Sequence, residues 1–279
     1  MRGWRRYVKV GIGGVILCVL VVCGVAAPLL APHDPRELRL EEKLRPPDWR
    51  VWDSGSYFLG TDNLGRDLLS RIIYGSRVSL LVGATTVIFA GLIGCFLGAV
   101  AGYYGAMIDE IINKTTEIFL AFPFLLLAIS VMAFLGQGLY NLILALVLSR
   151  WVQYCRIVRG EVLSLKERDF IQAVRALGGR DFYIIIRHVM PNTLPSVMVI
   201  ATFAMAIVII TEASLSFLGL GIPPSIPTWG SMLSEGRSYM YRAPWLTIWP
   251  GMAIFITVLG INLLGDGLRD ILDPKLTRH

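Results

Sequence analysis

Two charged residues stand in or beside stretches that otherwise carry no charge. Glu212 lies inside the apolar run 193–217, and Arg150 follows the uncharged run 118–149. A charge in hydrocarbon is costly unless it is paired or faces water, which makes both candidates for contact with a solute or a gate. Each also has a plainer reading. Glu212 can serve as a buried hydrogen-bond acceptor, and Arg150 can lay its apolar stem along the helix and hold its charge at the membrane surface. The constellations that catalysis requires are missing. No lysine follows a glycine, so the GxxxxGK[ST] loop that cradles ATP phosphates is absent. HExxH and GxSxG are absent too, and His33, His188 and His279 are far apart. Cys18, Cys23, Cys95 and Cys155 lie in or beside apolar runs without ligand spacing and read as small buried residues. The expectation is no catalytic residue, no metal and no cofactor.

The elements that must position these charges are membrane helices. Of 279 residues, 55% are hydrophobic and 16% charged, against about a quarter charged in soluble domains. The net charge of +6 comes from basic residues flanking apolar runs, not from a basic soluble face, which argues against nucleic acid. The runs are 10–32, 78–108, 118–149 divided near 136–141, 193–217 and 243–265. Lengths of about 20 residues span a bilayer, so the fold class is all-α integral membrane with six transmembrane helices. Trp4-Arg5-Arg6 and Lys9 place the N-terminus in the cytoplasm. The same start also describes a secretory signal, with Ala26 and Ala27 as a loose cleavage site.

Residues 33–77 balance eight acidic against eight basic side chains, as suits an outer face. Pro46-Pro47, Trp49 and Trp52 suggest a compact loop. Within it Asp62 can cap a helix, Gly60 and Gly65 can supply turns, and Arg66, Asp67 and Arg71 suggest an ion-pair network. Ala90, Gly94, Gly98 and Gly102 fall four apart, a face of small residues that lets helices approach closely; it is expected to pack on other spans of this chain or of a partner. Residues 109–117 read as a polar link, and Pro123 is expected to kink the third span. Residues 219–245 read as an outer loop or partial re-entrant helix, with Trp245 and Trp249 as an interface belt.

Residues 150–192 hold eight basic and four acidic side chains, a cytoplasmic signature. Inside them, 166–192 reads as two short helices broken at Gly178-Gly179. Phe170, Val174 and Leu177 form one apolar stripe at i, i+4, i+7. Gly178 suits the left-handed residue after a helix, Asp181 can start the second helix, and Pro191 is expected to stop it. Such an amphipathic segment can lie on lipid, pack on its own protein, or plug into a partner.

Residues 172–191 resemble the EAA loop of bacterial ABC-importer permeases, with Gln172-Ala173-Val174, Gly178 and Met190-Pro191 at the family's spacing. Gln172 stands where the family has Glu, and Val174 where it has a second Ala. The stretch LGTDNLGRDLLSRIIYGSRVSL (59–80) resembles the signature of the peptide/nickel branch, as do EASLSFLGLGIPPSIPTWGSML and LLGDGLRDILDP. The resemblance implies a type I ABC importer transmembrane domain over 78–270, preceded by an N-terminal helix and outer segment over 1–77 and followed by a cytoplasmic tail over 271–279. It implies a bacterial inner-membrane protein with both termini cytoplasmic, and a permease paired with a second permease, two cytoplasmic ATPases and an extracytoplasmic binding protein. Its solutes would be di- or oligopeptides, or else nickel, glutathione or another small solute. It assigns ATPase coupling to Phe170, Gln172, Ala173, Val174, Arg175, Leu177, Gly178, Asp181 and Pro191. A membrane enzyme or stand-alone channel would need paired catalytic groups, or charges repeated along a pore, and the sequence has neither.

Overall fold

In lipid every main-chain polar group must be satisfied within the protein, so the long apolar runs become helices. The structure, a computed structural model, describes residues 2–49 and 56–272, with side chains from Tyr7 onward. Trp52, the side chains of Trp4-Arg5-Arg6, His279 and the tail beyond 272 lie outside the described residues. The helices are α1 (Arg2–Val25), α2 (Ala27–Leu30), α3 (Leu68–Tyr104), α4 (Ala106–Ala121), α5 (Phe124–Leu135), α6 (Leu139–Leu165), α7 (Asp169–Ala176), α8 (Asp181–Ile184), α9 (Met190–Phe217), α10 (Trp229–Arg237) and α11 (Trp245–Leu272). Five helices are long and apolar enough to cross a membrane, and α4 with α5, bent by 86°, makes a sixth span when the two are taken together.

Three expectations need correction. Residues 109–117 are not a link but lie within α4. Their charges support the helix locally: Lys114 pairs with Glu110 at 2.6 Å, and Asn113 donates to Asp109 at 3.2 Å. Pro123 breaks the third span instead of kinking it, because a residue before proline is driven out of the α region; Phe122 is extended at φ −96°, ψ 131°. Pro191 does not stop a helix. A π-turn over Ile185–Val189 joins α8 to α9, so one helical span runs from Asp181 to Phe217. Proline withholds an N–H from the carbonyl four residues back, and here it follows a turn whose bonding register is already shifted, with Met190 N–H donating to the Ile185 carbonyl.

The small-residue face packs inside this chain, along α6. A Cβ on Gly94 would meet the Trp151 carbonyl, one on Gly98 the Cys155 carbonyl, and one on Gly102 Val162 and the Arg159 carbonyl. Ala90 is fully buried in the same core, which also holds Trp151, Tyr154, Val158 and Val162. A second close crossing sets α1 on α11, where Gly13 meets Gly260 and Leu264, and Lys9 pairs with Asp270 at 3.2 Å. Thus α1 is packed into the bundle as a span.

The polar segments gather at two ends. At one end residues 33–49 and 56–67 meet α10 and the start of α11. Arg66 and Arg71 both pair with Asp62 and with Glu235 of α10, Arg66 at 2.6 Å to Asp62 and 2.8 Å to Glu235. The expected network therefore exists with different members. Asp62 is an ion-pair partner, not a cap; Asp67 is the cap, accepting from the Ser70 N–H at 2.8 Å. Gly60 and Gly65 do adopt positive φ in turns. The buried pairing also explains why α3 begins at Leu68, ten residues before the uncharged run: Arg71 is only 1% exposed, its charge met by carboxylates. Residues 219–245 contain the short helix α10, capped by Thr228 and Ser231, whose Trp229 is buried and donates to the Ile72 carbonyl at 3.0 Å. Trp245 donates to the Thr61 carbonyl at 3.2 Å.

Candidate functional site

At the opposite end, α7, the turn at 177–180 and α8 form a protruding elbow between two spans. Ile171, Ile184 and Val189 are fully buried in the same core as the α3–α6 seam, and Val174 packs against it. The sequence stripe is thus rotated: Ile171 and Val174 face inward, whereas Phe170 and Leu177 face out. Leu177 is 88% exposed and Phe182 69%, with Tyr183 and Ile186 also exposed. The inward face anchors the elbow, and the outward face presents large apolar side chains with no cover from this chain.

Polar contacts fix its angle. The Tyr103 hydroxyl at the end of α3 donates to Asp181 at 2.8 Å, and the Arg175 guanidinium lies 5.2 Å from the Tyr103 ring centre. The Tyr103 hydroxyl holds the Arg175 guanidinium above its ordinary range. Gln172 donates to the Lys166 carbonyl at 3.0 Å, a local clasp. Gln172, Ala173, Arg175 and Asp181 are all exposed, as is Pro191. Gly178 has φ +81°, the left-handed conformation that glycine takes without steric cost. Its Cβ position is open, whereas a Cβ on Gly179 would collide with Val174. The elbow is therefore a stiff, two-helix protrusion whose outer face is free to be buried by something else.

Sequence reasoning set the contact over residues 168–184 but did not single out Ile171 and Ile184 as anchors or Phe182 as exposed, and it missed Tyr103 altogether. Ile171 with Val174 at i, i+3 was an available signal. Nothing local marked Tyr103, which is 78 residues from its partner.

The two isolated charges lie elsewhere. Glu212 is 1% exposed, accepts from Ser216 at 2.8 Å and Ser79 at 3.4 Å, and ties α9 to α3. That geometry matches the hydrogen-bond acceptor reading. Arg150 is half-buried. Its guanidinium lies 3.5 Å from the centre of the Phe124 ring, at the break between α4 and α5. Among the described residues no cluster of His, Cys, Asp and Glu is placed to hold a metal, and all four cysteines are free.

Residues 94–278 match the family described as the binding-protein-dependent transport system inner membrane component. A glutathione transport system permease protein, GsiD, of Pectobacterium atrosepticum is 41% identical over 276 residues, 98% of this chain and 90% of that one. A di/tripeptide transport system permease protein, DppC, of Pseudomonas aeruginosa is 41% identical over 276 residues, 98% of this chain and 91% of that one. The fold is similar to a chain of the MetNI methionine ABC transporter solved in inward-facing conformations, at 20% identity. One crystal form gives a TM-score of 0.58 over 73% of this chain and 96% of that chain; another gives 0.60 over 74% and 98%.

Proposed function

The chain belongs to the family of binding-protein-dependent transport system inner membrane components, and from that premise we propose that its elbow is the site at which a cytoplasmic ATPase drives it. The protein is a permease subunit of an ATP-powered importer, and its solutes are short peptides, the class carried by its glutathione and di/tripeptide relatives. A second permease completes the path, a binding protein delivers solute to the end formed by residues 33–49, 56–67 and 219–245, and both termini lie in the cytoplasm.

The observation that carries the reading is the two-faced elbow. Its inner face is bolted into the α3–α6 core through Ile171 and Ile184, and its outer face leaves Leu177, Phe182 and Tyr183 uncovered. Force applied to the outer face passes into the spans through packed side chains, without a flexible linker to absorb it. The chain itself has no phosphate-binding loop, so the energy comes from outside it and it acts as a transporter, not as an enzyme.

The test is disulfide crosslinking in inverted membrane vesicles containing the whole transporter. A cysteine at exposed position 173, in a background lacking the four native cysteines, is expected to form a disulfide with a cysteine introduced on the ATPase when a mild oxidant is added. It is also expected to react with impermeant thiol reagents from the cytoplasmic side only. Labelling from the outer side would overturn the reading.

A further inference from the structure

Arg150 is placed where a membrane protein has least reason to keep a cation. It lies eleven residues into α6, about 17 Å from that helix's start at 1.5 Å per residue, roughly half of a ~30 Å hydrocarbon core. Its Nε is buried without a hydrogen-bond partner, and among the described residues no acid pairs with it. Contact with the Phe124 ring spreads the charge, but a ring face does not satisfy five N–H donors. By contrast Arg159, two and a half turns further along, is neutralised by Asp109 in a two-pronged pair at 2.5 and 2.6 Å.

The free guanidinium borders a cavity of about 480 Å³, shared with Ser149, Gln153 and Arg156 and containing no acid. Arg156 also lines a neighbouring cavity of about 410 Å³ that reaches Arg159 and Glu117. The two spaces share Leu120 and Arg156 and together run along α6 toward its C-terminal end. The break at Pro123 opens the first space, and α5 begins on its wall at Phe124, with the positive end of the helix there. Breaks of this kind at mid-membrane depth are where transporters seat solutes.

We propose that Arg150, with Arg156 beyond it, receives the carboxylate of the solute as it crosses the membrane. This rests on the importer reading given above and narrows it: the path is built for solutes bearing a free carboxylate, as short peptides do, and repels divalent cations. The carboxylate supplies the two acceptors that the fold withholds from Arg150, and Gln153 and Ser149 stand beside it to bond the adjoining amide.

The experiment uses the complete transporter in proteoliposomes, with labelled alanyl-alanine and glutathione as probes. R150Q is expected to lower uptake of both about tenfold or more, the loss of one charge-assisted hydrogen bond, while R150K keeps most of it. A cysteine at position 120, on the wall of both spaces, reports occupancy: alanyl-alanine is expected to slow its labelling when Arg150 or Lys is present and not in R150Q. Wild-type uptake by R150Q overturns the assignment. So does failure of the dipeptide to shield position 120 in the otherwise native complex, or equal shielding with and without the arginine. Shielding lost as fully in R150K as in R150Q overturns the role of charge. A native complex that imports neither probe would sink the short-peptide reading itself, a result distinct from the others.

Discussion

Leu177→Ala separates an anchor from a docking surface within one loop. Leu177 is 88% exposed and Ile171, six residues earlier, is 0% exposed. The fold makes almost no use of Leu177, so truncating it should change stability by no more than about 0.5 kcal/mol, the usual range for surface changes. If the ATPase buries it, the lost transfer free energy approaches that of a whole leucine side chain, about 1.5–3 kcal/mol. That is roughly ten- to a hundredfold in affinity. Ile171→Ala should do the reverse: about 2–5 kcal/mol of fold stability, from a fully buried site that cannot refill, with docking weakened only as the elbow loosens. The assay is thermal unfolding of the purified permease pair, alongside titration with the ATPase. Two results would refute the reasoning: Leu177→Ala binding the ATPase within about threefold of the parent, or Leu177→Ala destabilising the protein as much as Ile171→Ala.

Further outcomes follow from other contacts. Gly98→Leu drives a side chain into the Cys155 carbonyl and should abolish monodisperse protein on gel filtration, whereas Gly14→Leu, with open space at its Cβ, should be tolerated. Arg71→Met strands part of the charge on Asp62 and Glu235 and should cost about 3–5 kcal/mol in thermal unfolding; adding Asp62→Asn should recover part of it. Glu212→Leu leaves the Ser79 and Ser216 hydroxyls without their acceptor and should cost about 1–3 kcal/mol, while Glu212→Gln, which keeps a carbonyl oxygen there, should cost less.

Much of this molecule is written in local pattern. Uncharged runs dictate helices because lipid offers no partner to a bare peptide group, and residues four apart dictate a shared face, so the Ala90–Gly94–Gly98–Gly102 seam could be anticipated without coordinates. Gly178 was legible for the same reason: a left-handed turn after a helix is a local demand. What could not be read locally was which partner each group would find. The stripe of Phe170, Val174 and Leu177 has a helical period, but the fold divides it: Val174 packs inward while Phe170 and Leu177 stay exposed, because Ile171 turns inward only once the α3–α6 core exists to receive it. Asp62 had the composition of a cap and became an ion-pair partner, since Arg66, Arg71 and Glu235 converge on it from segments more than 160 residues apart. Charges hid helix as well, in 109–117 and ahead of residue 78, because hydropathy marks only the part of a helix that lipid touches. The sequence determined which segments are helical and which faces are small. Tertiary packing decided which charges are neutralised and which, like Arg150, are left to meet something else, because pairing is a property of distance in space and not along the chain.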